Sequence, residues 1–98
     1  MPDKCQFLIT FEVNPDSIPS FEDMLASVQT GLPKIEGCQS VNIFRHEDPA
    51  NNKFTLLETW VSKPLHQAHV SRMQETGQWA EIEEMLVSPP TGHYLLAF

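Results

Sequence analysis

The chain predicts an α+β fold, an antiparallel four-stranded sheet with its helices on one face, in the order β-α-β-β-α-β. Three observations carry this reading. Four stretches alternate apolar and mixed residues with the period of two that strands require, and two stretches space apolar residues as an amphipathic helix does. Between the second and third strand stretches lies only Glu47-Asp48-Pro49-Ala50-Asn51-Asn52, turn chemistry throughout, so those strands form a hairpin. The resulting order is the ferredoxin-like arrangement.

The first strand, Gln6 to Val13, sets Phe7, Ile9, Phe11 and Val13 against Gln6, Leu8, Thr10 and Glu12. Asn14-Pro15-Asp16 turns the chain, and Asp16 or Ser17 is the expected cap of a helix with Pro19 in its first turn. From Ile18 the apolar positions Phe21, Met24, Leu25, Val28 and Leu32 trace one helical stripe, which Gly31 and Pro33 end or kink. Lys34-Ile35-Glu36-Gly37 turns into the second strand, Ser40 to His46, where Val41 and Ile43 oppose Asn42, Phe44 and His46.

The stretch from Phe54 to Met73 organises the rest. Its strand places Phe54, Leu56, Glu58 and Trp60 on one face and Thr55, Leu57, Thr59 and Val61 on the other. After Ser62-Lys63-Pro64 a helix follows, with Leu65, Ala68, His69 and Arg72 or Met73 expected along one face. Gly77 interrupts it, Trp79, Ile82, Met85 and Leu86 supply a second apolar stripe, and Pro89-Pro90 stops it. Gly92 to Phe98 closes the chain as a fourth strand, with Tyr94, Leu96 and Phe98 on one side.

Ninety-eight residues predict one domain over 1–98, with a single modest core. Thirteen acidic against six basic residues give a net charge of -7 without a basic cluster, which disfavours nucleic acid and anionic membranes as partners. The N-terminus lacks a signal-peptide pattern and no run reaches transmembrane length, so a cytosolic protein is expected. Cys5 and Cys38 lack metal-ligand spacing, and reduced thiols are expected. Leu8, Phe44, Leu57, Val61, Leu95 and Ala97 would fall on the sheet face that the helices leave open. That face is too apolar for water, and a homodimer closed sheet against sheet is predicted.

An acid and an indole on one strand face, followed within nine residues by a helical histidine, define the candidate site: Glu58, Trp60 and His69. Phe7, Ile9, Phe54 and Leu56 are the expected walls of a pocket between sheet and helices. Arg72 and Tyr94 are further candidates for contact with a ligand. Arg72 or His69 would also serve as a structural ion partner for Glu58. His66 and His69, three residues apart, could share a metal only with further ligands, so no metal site is expected.

Ile35-Glu36-Gly37-Cys38 before a strand, Phe54-x-Leu56-x-Glu58-x-Trp60 and Leu65-x-x-x-His69 together resemble the antibiotic biosynthesis monooxygenase family. The resemblance implies a dimeric α/β barrel that oxidises quinol, polyphenol or anthrone-like aromatics with O2 and without cofactor, metal or flavin. It implies His69 as the base, Trp60 as a surface that stacks on or orients the ring, and Glu58 as the group that holds the imidazole tautomer or a substrate hydroxyl. Haem-degrading relatives would show an Asn on the first strand, and Gln6-Phe7-Leu8-Ile9-Thr10-Phe11 has none. Two further readings stand beside the monooxygenase. One is a non-catalytic dimeric module for a small hydrophobic molecule or a stress-response role. The other is an oxygen-independent isomerase or signal-processing enzyme.

Overall fold

A computed structural model describes residues 4–98 of the chain. Strand β1 (Cys5–Glu12) leads through a 3-10 turn at Pro15–Ser17 into helix α1 (Ile18–Gly31). Strands β2 (Cys38–Arg45) and β3 (Lys53–Trp60) form the expected hairpin around a short 3-10 turn at Pro49–Asn51. Helix α2 (Lys63–Thr76) is separated from α3 (Gln78–Glu84) by Gly77 at φ +82°, and β4 (Thr91–Leu95) ends the order. The four strands pair antiparallel in the sequence β2-β3-β1-β4, the ferredoxin-like topology.

Residues paired across an antiparallel sheet share a face, so the register fixes the inner surface row by row. One row runs Val41, Glu58, Phe7, Tyr94 from β2 to β4, and the next runs Ile43, Leu56, Ile9, Gly92. Phe21 and Leu25 of α1 and Ile82 of α3 bury against Ile9, Phe11, Phe54 and Leu56 to make the main core. A second cluster gathers Cys5, Leu32, Cys38 and Trp60. Cys5 and Cys38 pair with Trp60 from opposite sides. They are therefore two strand spacings apart, about 9.5 Å. That is beyond the reach of a disulfide, and both thiols are free.

Several boundaries differ from the sequence reading. Ser17 and Ser62 hold the N-cap positions of α1 and α2, but neither side chain makes a capping bond. At α1 the 3-10 turn already winds the backbone, and Ser17 sits at φ -99°, ψ -3°. The second strand starts two residues early, at Cys38, with a bulge before Ser40. The fourth strand stops at Leu95 rather than Phe98, because Leu95 pairs with Gln6 and β1 offers only Cys5 beyond it. Leu96 and Phe98 are exposed.

The outer face carries Leu8 opposite Leu57, with Phe44 and Leu95 on neighbouring strands. Phe44 is 53% exposed, Val61 44% and Leu95 39%. A polar string runs beside them from His46, just past β2, across β3 to β1, His46 Nε2 to Thr55 Oγ1 at 2.7 Å and Thr55 Oγ1 to Thr10 Oγ1 at 2.9 Å.

Gly37 holds the junction between β2 and α2. It sits at φ +92°, and a Cβ there would lie 2.7 Å from Leu65 Cβ. Gly37→Ala adds backbone strain to a clash with a packed side chain and is expected to lower stability by about 2 kcal/mol or more. Gly77→Ala, which meets nothing within 4 Å, carries the backbone cost alone, about 1 kcal/mol. Urea midpoints of the two variants test this, and equal losses would contradict the packing account.

Candidate active site

A half-open cavity of about 650 Å³ lies between the sheet and the helices. Its wall is apolar over most of its extent, with Phe7, Ile9, Leu56, Val28, Met73 and Ile82 among the lining side chains. Ser27, Gln78 and Glu81 also line it, and Glu58, His66 and His69 form a polar cluster in the wall.

Period-two alternation brings Glu58 to this wall with Leu56, and burial leaves it 8% exposed. A carboxyl in such surroundings needs a partner. Trp60, fully buried one strand repeat along, donates its indole Nε1–H to Glu58 Oε1 at 2.9 Å. Burial pushes the Glu58 carboxyl above the ordinary range, and the indole hydrogen bond works in the opposite direction.

The phase of α2 supplies the two imidazoles. The His66 amide bonds to Ser62 O, and His66, His69, Val70 and Met73 form the stripe that faces the cavity. The expected stripe through Ala68 and Arg72 is thus rotated; both of those residues are exposed, and Leu65 packs at the Trp60 cluster instead. His66 is 3% exposed. Its Nδ1 lies 2.8 Å from the Tyr94 hydroxyl and its Nε2 lies 3.9 Å from Glu58 Oε1. Its ring is 4.4 Å from Phe7 and 5.3 Å from Trp60, centroid to centroid. Burial, and then the charge of His69, push its pKa down to about 4. His69 is half-buried with its ring 5.2 Å from Trp60, and burial followed by the Arg72 charge lowers its pKa. Both imidazoles therefore remain neutral near pH 7.

The structure brings Glu58, His69, Phe7, Ile9 and Leu56 to one cavity. Trp60 lies behind the wall, where it holds Glu58. Phe54 also lies behind it, against Phe21 with centroids 5.3 Å apart, and Arg72 points to the surface. Tyr94, 40% exposed on the edge strand, reaches the site through His66. His66 entered the sequence reading only as half of a metal pair. The signal for its place was the helical spacing His66, His69, Val70, Met73. Among the described residues no three His, Cys, Asp or Glu side chains gather as a metal site, and no helix is long and apolar enough to cross a membrane.

Fold and cavity define a ferredoxin-like protein with acid–base groups set into an apolar chamber. The family model of antibiotic biosynthesis monooxygenases matches residues 7–81, and the chain belongs to that family. The fold is shared with Rv0793 of Mycobacterium tuberculosis at a TM-score of 0.82 and 19% identity, over 97% of this chain and 95% of that one. SnoaB, a cofactor-independent oxygenase from Streptomyces nogalater, superposes with a TM-score of 0.79 at 14% identity, covering 97% and 93%. A conserved protein from Methanosarcina mazei gives 0.84 at 16% identity, covering 98% and 94%. No curated protein matches the sequence.

The buried imidazole makes stability pH-dependent. Unfolded, His66 takes up a proton near its ordinary value of 6.5; folded, it does so only near 4. Between these values the unfolded chain binds more protons. Stability is therefore expected to fall as pH drops through that window, by up to roughly 3 kcal/mol from this group. Glu58, raised in the fold, acts in the opposite sense and loses stability as pH rises above the ordinary carboxylate range. Urea midpoints of wild type and His66→Leu isolate the histidine's share. The variant should show the flatter acid limb, and parallel curves would contradict a neutral buried imidazole.

Proposed function

We propose that the protein is a cofactor-independent monooxygenase that oxidises a quinol, polyphenol or anthrone-like aromatic with O2. The observation that carries this reading is the placement of Glu58 and His69 in the wall of a predominantly apolar cavity of about 650 Å³. That volume lies in the range of small-molecule sites and suits a planar polycyclic ring. Family membership, and the cofactor-independent oxygenase among the structures of the same fold, support the same class.

An electron-rich aromatic must lose a proton before it gives an electron to oxygen, and a largely apolar cavity with fixed polar groups favours that step. A quinol carries two hydroxyl protons, so two acceptors are of use. His69 takes one, and Glu58, its pKa raised by burial, binds or takes the other. Trp60 keeps Glu58 in place from behind the wall. The overall reaction balances without an outside reductant: a quinol ring C–H with O2 gives a hydroxyquinone and water, and an anthrone CH2 with O2 gives a carbonyl and water. The substrate itself supplies the electrons.

Oxygen consumption by metal-stripped protein over a panel of hydroquinones, naphthoquinols and anthrones tests the reading. Uptake above autoxidation is expected, with a fall of about 10²-fold or more in His69→Ala. A folded protein that consumes no oxygen above the blank across the panel would contradict it.

The working unit in this reading is a homodimer closed over the outer sheet face. Leu8, Leu57, Phe44 and Leu95 form an apolar surface there that is costly to leave in water. Light scattering at micromolar concentration should give the dimer mass for wild type and a reduced mass for Leu57→Glu. A wild-type monomer would rule out this assembly.

A further inference from the structure

We propose that the gap between His66 Nε2 and Glu58 Oε1 seats a hydroxyl of the aromatic ligand, and that His66 donates its Nε2–H to that oxygen while Tyr94, with Glu58, fixes the tautomer. The inference takes its ligand class from the monooxygenase reading, but His66 and Tyr94 had no part in that reading.

The gap is 3.9 Å, too long for a hydrogen bond between the two groups. A hydroxyl oxygen about 2.8 Å from each would bridge it with an angle of about 90° at the oxygen. Glu58 Oε1 already accepts from Trp60 and retains a second lone pair for the hydroxyl proton. Both sides of the gap belong to the cavity wall. Phe7 covers one side of the His66 ring and Trp60 meets it edge-on, so the seat opens towards the cavity.

Glu58 and Tyr94 together select the ring nitrogen that carries the hydrogen. A Tyr hydroxyl can accept as well as donate, and the Glu58 oxygen 3.9 Å from Nε2 favours the proton on that side. The Tyr94 oxygen is 2.8 Å from Nδ1, and burial raises its pKa, so it stays protonated and can donate. An O–H bond given to Nδ1 leaves the single ring proton of a neutral imidazole on Nε2, facing the gap. The ring of Tyr94 is itself fixed, with Phe7 at 5.1 Å and the Lys63 ammonium 4.4 Å from its centroid. The titratable groups around the seat come from every neighbouring strand and helix: Cys5 on β1, Cys38 on β2, Glu58 on β3, Lys63, His69 and Arg72 on α2, and Tyr94 on β4.

The step then balances within the site. The substrate O–H bond breaks, the proton forms a bond to a Glu58 oxygen, and the electron pair stays on the substrate oxygen. His66 keeps its hydrogen and turns it towards the growing negative charge. A neutral imidazole suits this role, since a donor fixed before the reaction stabilises charge without reorganising. His66 is thus a catalytic residue of the site, and Tyr94 is a positioning residue that acts through it.

Two measurements on the full chain test the proposal. Nitrogen NMR of the ligand-free protein near pH 7 should show His66 as the neutral Nε2–H tautomer, shifting towards a mixture in Tyr94→Phe. An Nδ1–H or charged ring in wild type would overturn the assignment. In the second, 4-nitrophenol, whose ionised form is yellow, is titrated into the protein. Its bound form should ionise about one pH unit or more lower in wild type than in His66→Phe, which lacks the Nε2–H donor. Tyr94→Phe should fall between the two. Equal values in wild type and His66→Phe, or no binding to wild type, would overturn the seat. Since neither readout involves oxygen, a His66-dependent nitrophenol shift with no oxygen uptake on any substrate leaves the seat standing and removes the oxidation. Uptake with no such shift removes the seat alone.

Discussion

A single hydrogen bond lets this cavity hold a carboxyl. Glu58 sits on the inner face of the central β3 strand, between Phe7 and Val41, where an unpartnered carboxylate would be costly. Trp60 meets that cost with its only polar atom while its ring fills the space beneath. A hydrogen bond to a charged acceptor is worth about 1.5–3 kcal/mol in such a place. The imidazoles then pack onto the same indole, His66 edge-on and His69 tilted, so one side chain supports three polar groups. The cavity thereby gains a polar cluster in an apolar wall, which suits a ligand that is mostly ring with hydroxyls on one edge.

The positions of these groups follow from two periods that meet at Ser62. The strand period of two puts Glu58 and Trp60 on the face that the helices cover. The helical period, started at Ser62, then turns His66, His69, Val70 and Met73 back over them. Gly37 permits the close approach of Leu65 that locks this junction, and Gly92 does the same at the other side. A Cβ on Gly92 would lie 2.6 Å from the Phe7 ring, so its absence lets Phe7 lean between His66 and Tyr94.

Much of the sheet was legible because alternation writes both faces into the chain, and Leu8, Phe44, Leu57 and Leu95 do share the outer one. Phe7, Ile9, Leu56 and Glu58 were legible as wall residues for the same reason. The helical contribution was harder to read. Leu65 drew the stripe towards itself by its hydrophobicity, whereas packing against Trp60 selects His66. The Tyr94 contact depends on β4 pairing with β1 across most of the chain, Phe7 opposite Tyr94, and no local pattern encodes that register. Phe54 read as a pocket wall because it shares Glu58's face, but Phe21 of α1 covers it. Arg72 read as a site residue from its charge, and the helix phase carries it to solvent.

The most direct test of this account is the titration of the Glu58 carboxyl itself, followed by carbon NMR in wild type and in Trp60→Phe. The account predicts a pKa above the ordinary glutamate value in wild type, because burial outweighs the indole bond. It predicts a further rise in the variant, because the indole N–H no longer stabilises the anion. An ordinary value in both proteins would mean that the carboxyl is solvated rather than held in the cavity wall, and the site as described would not stand.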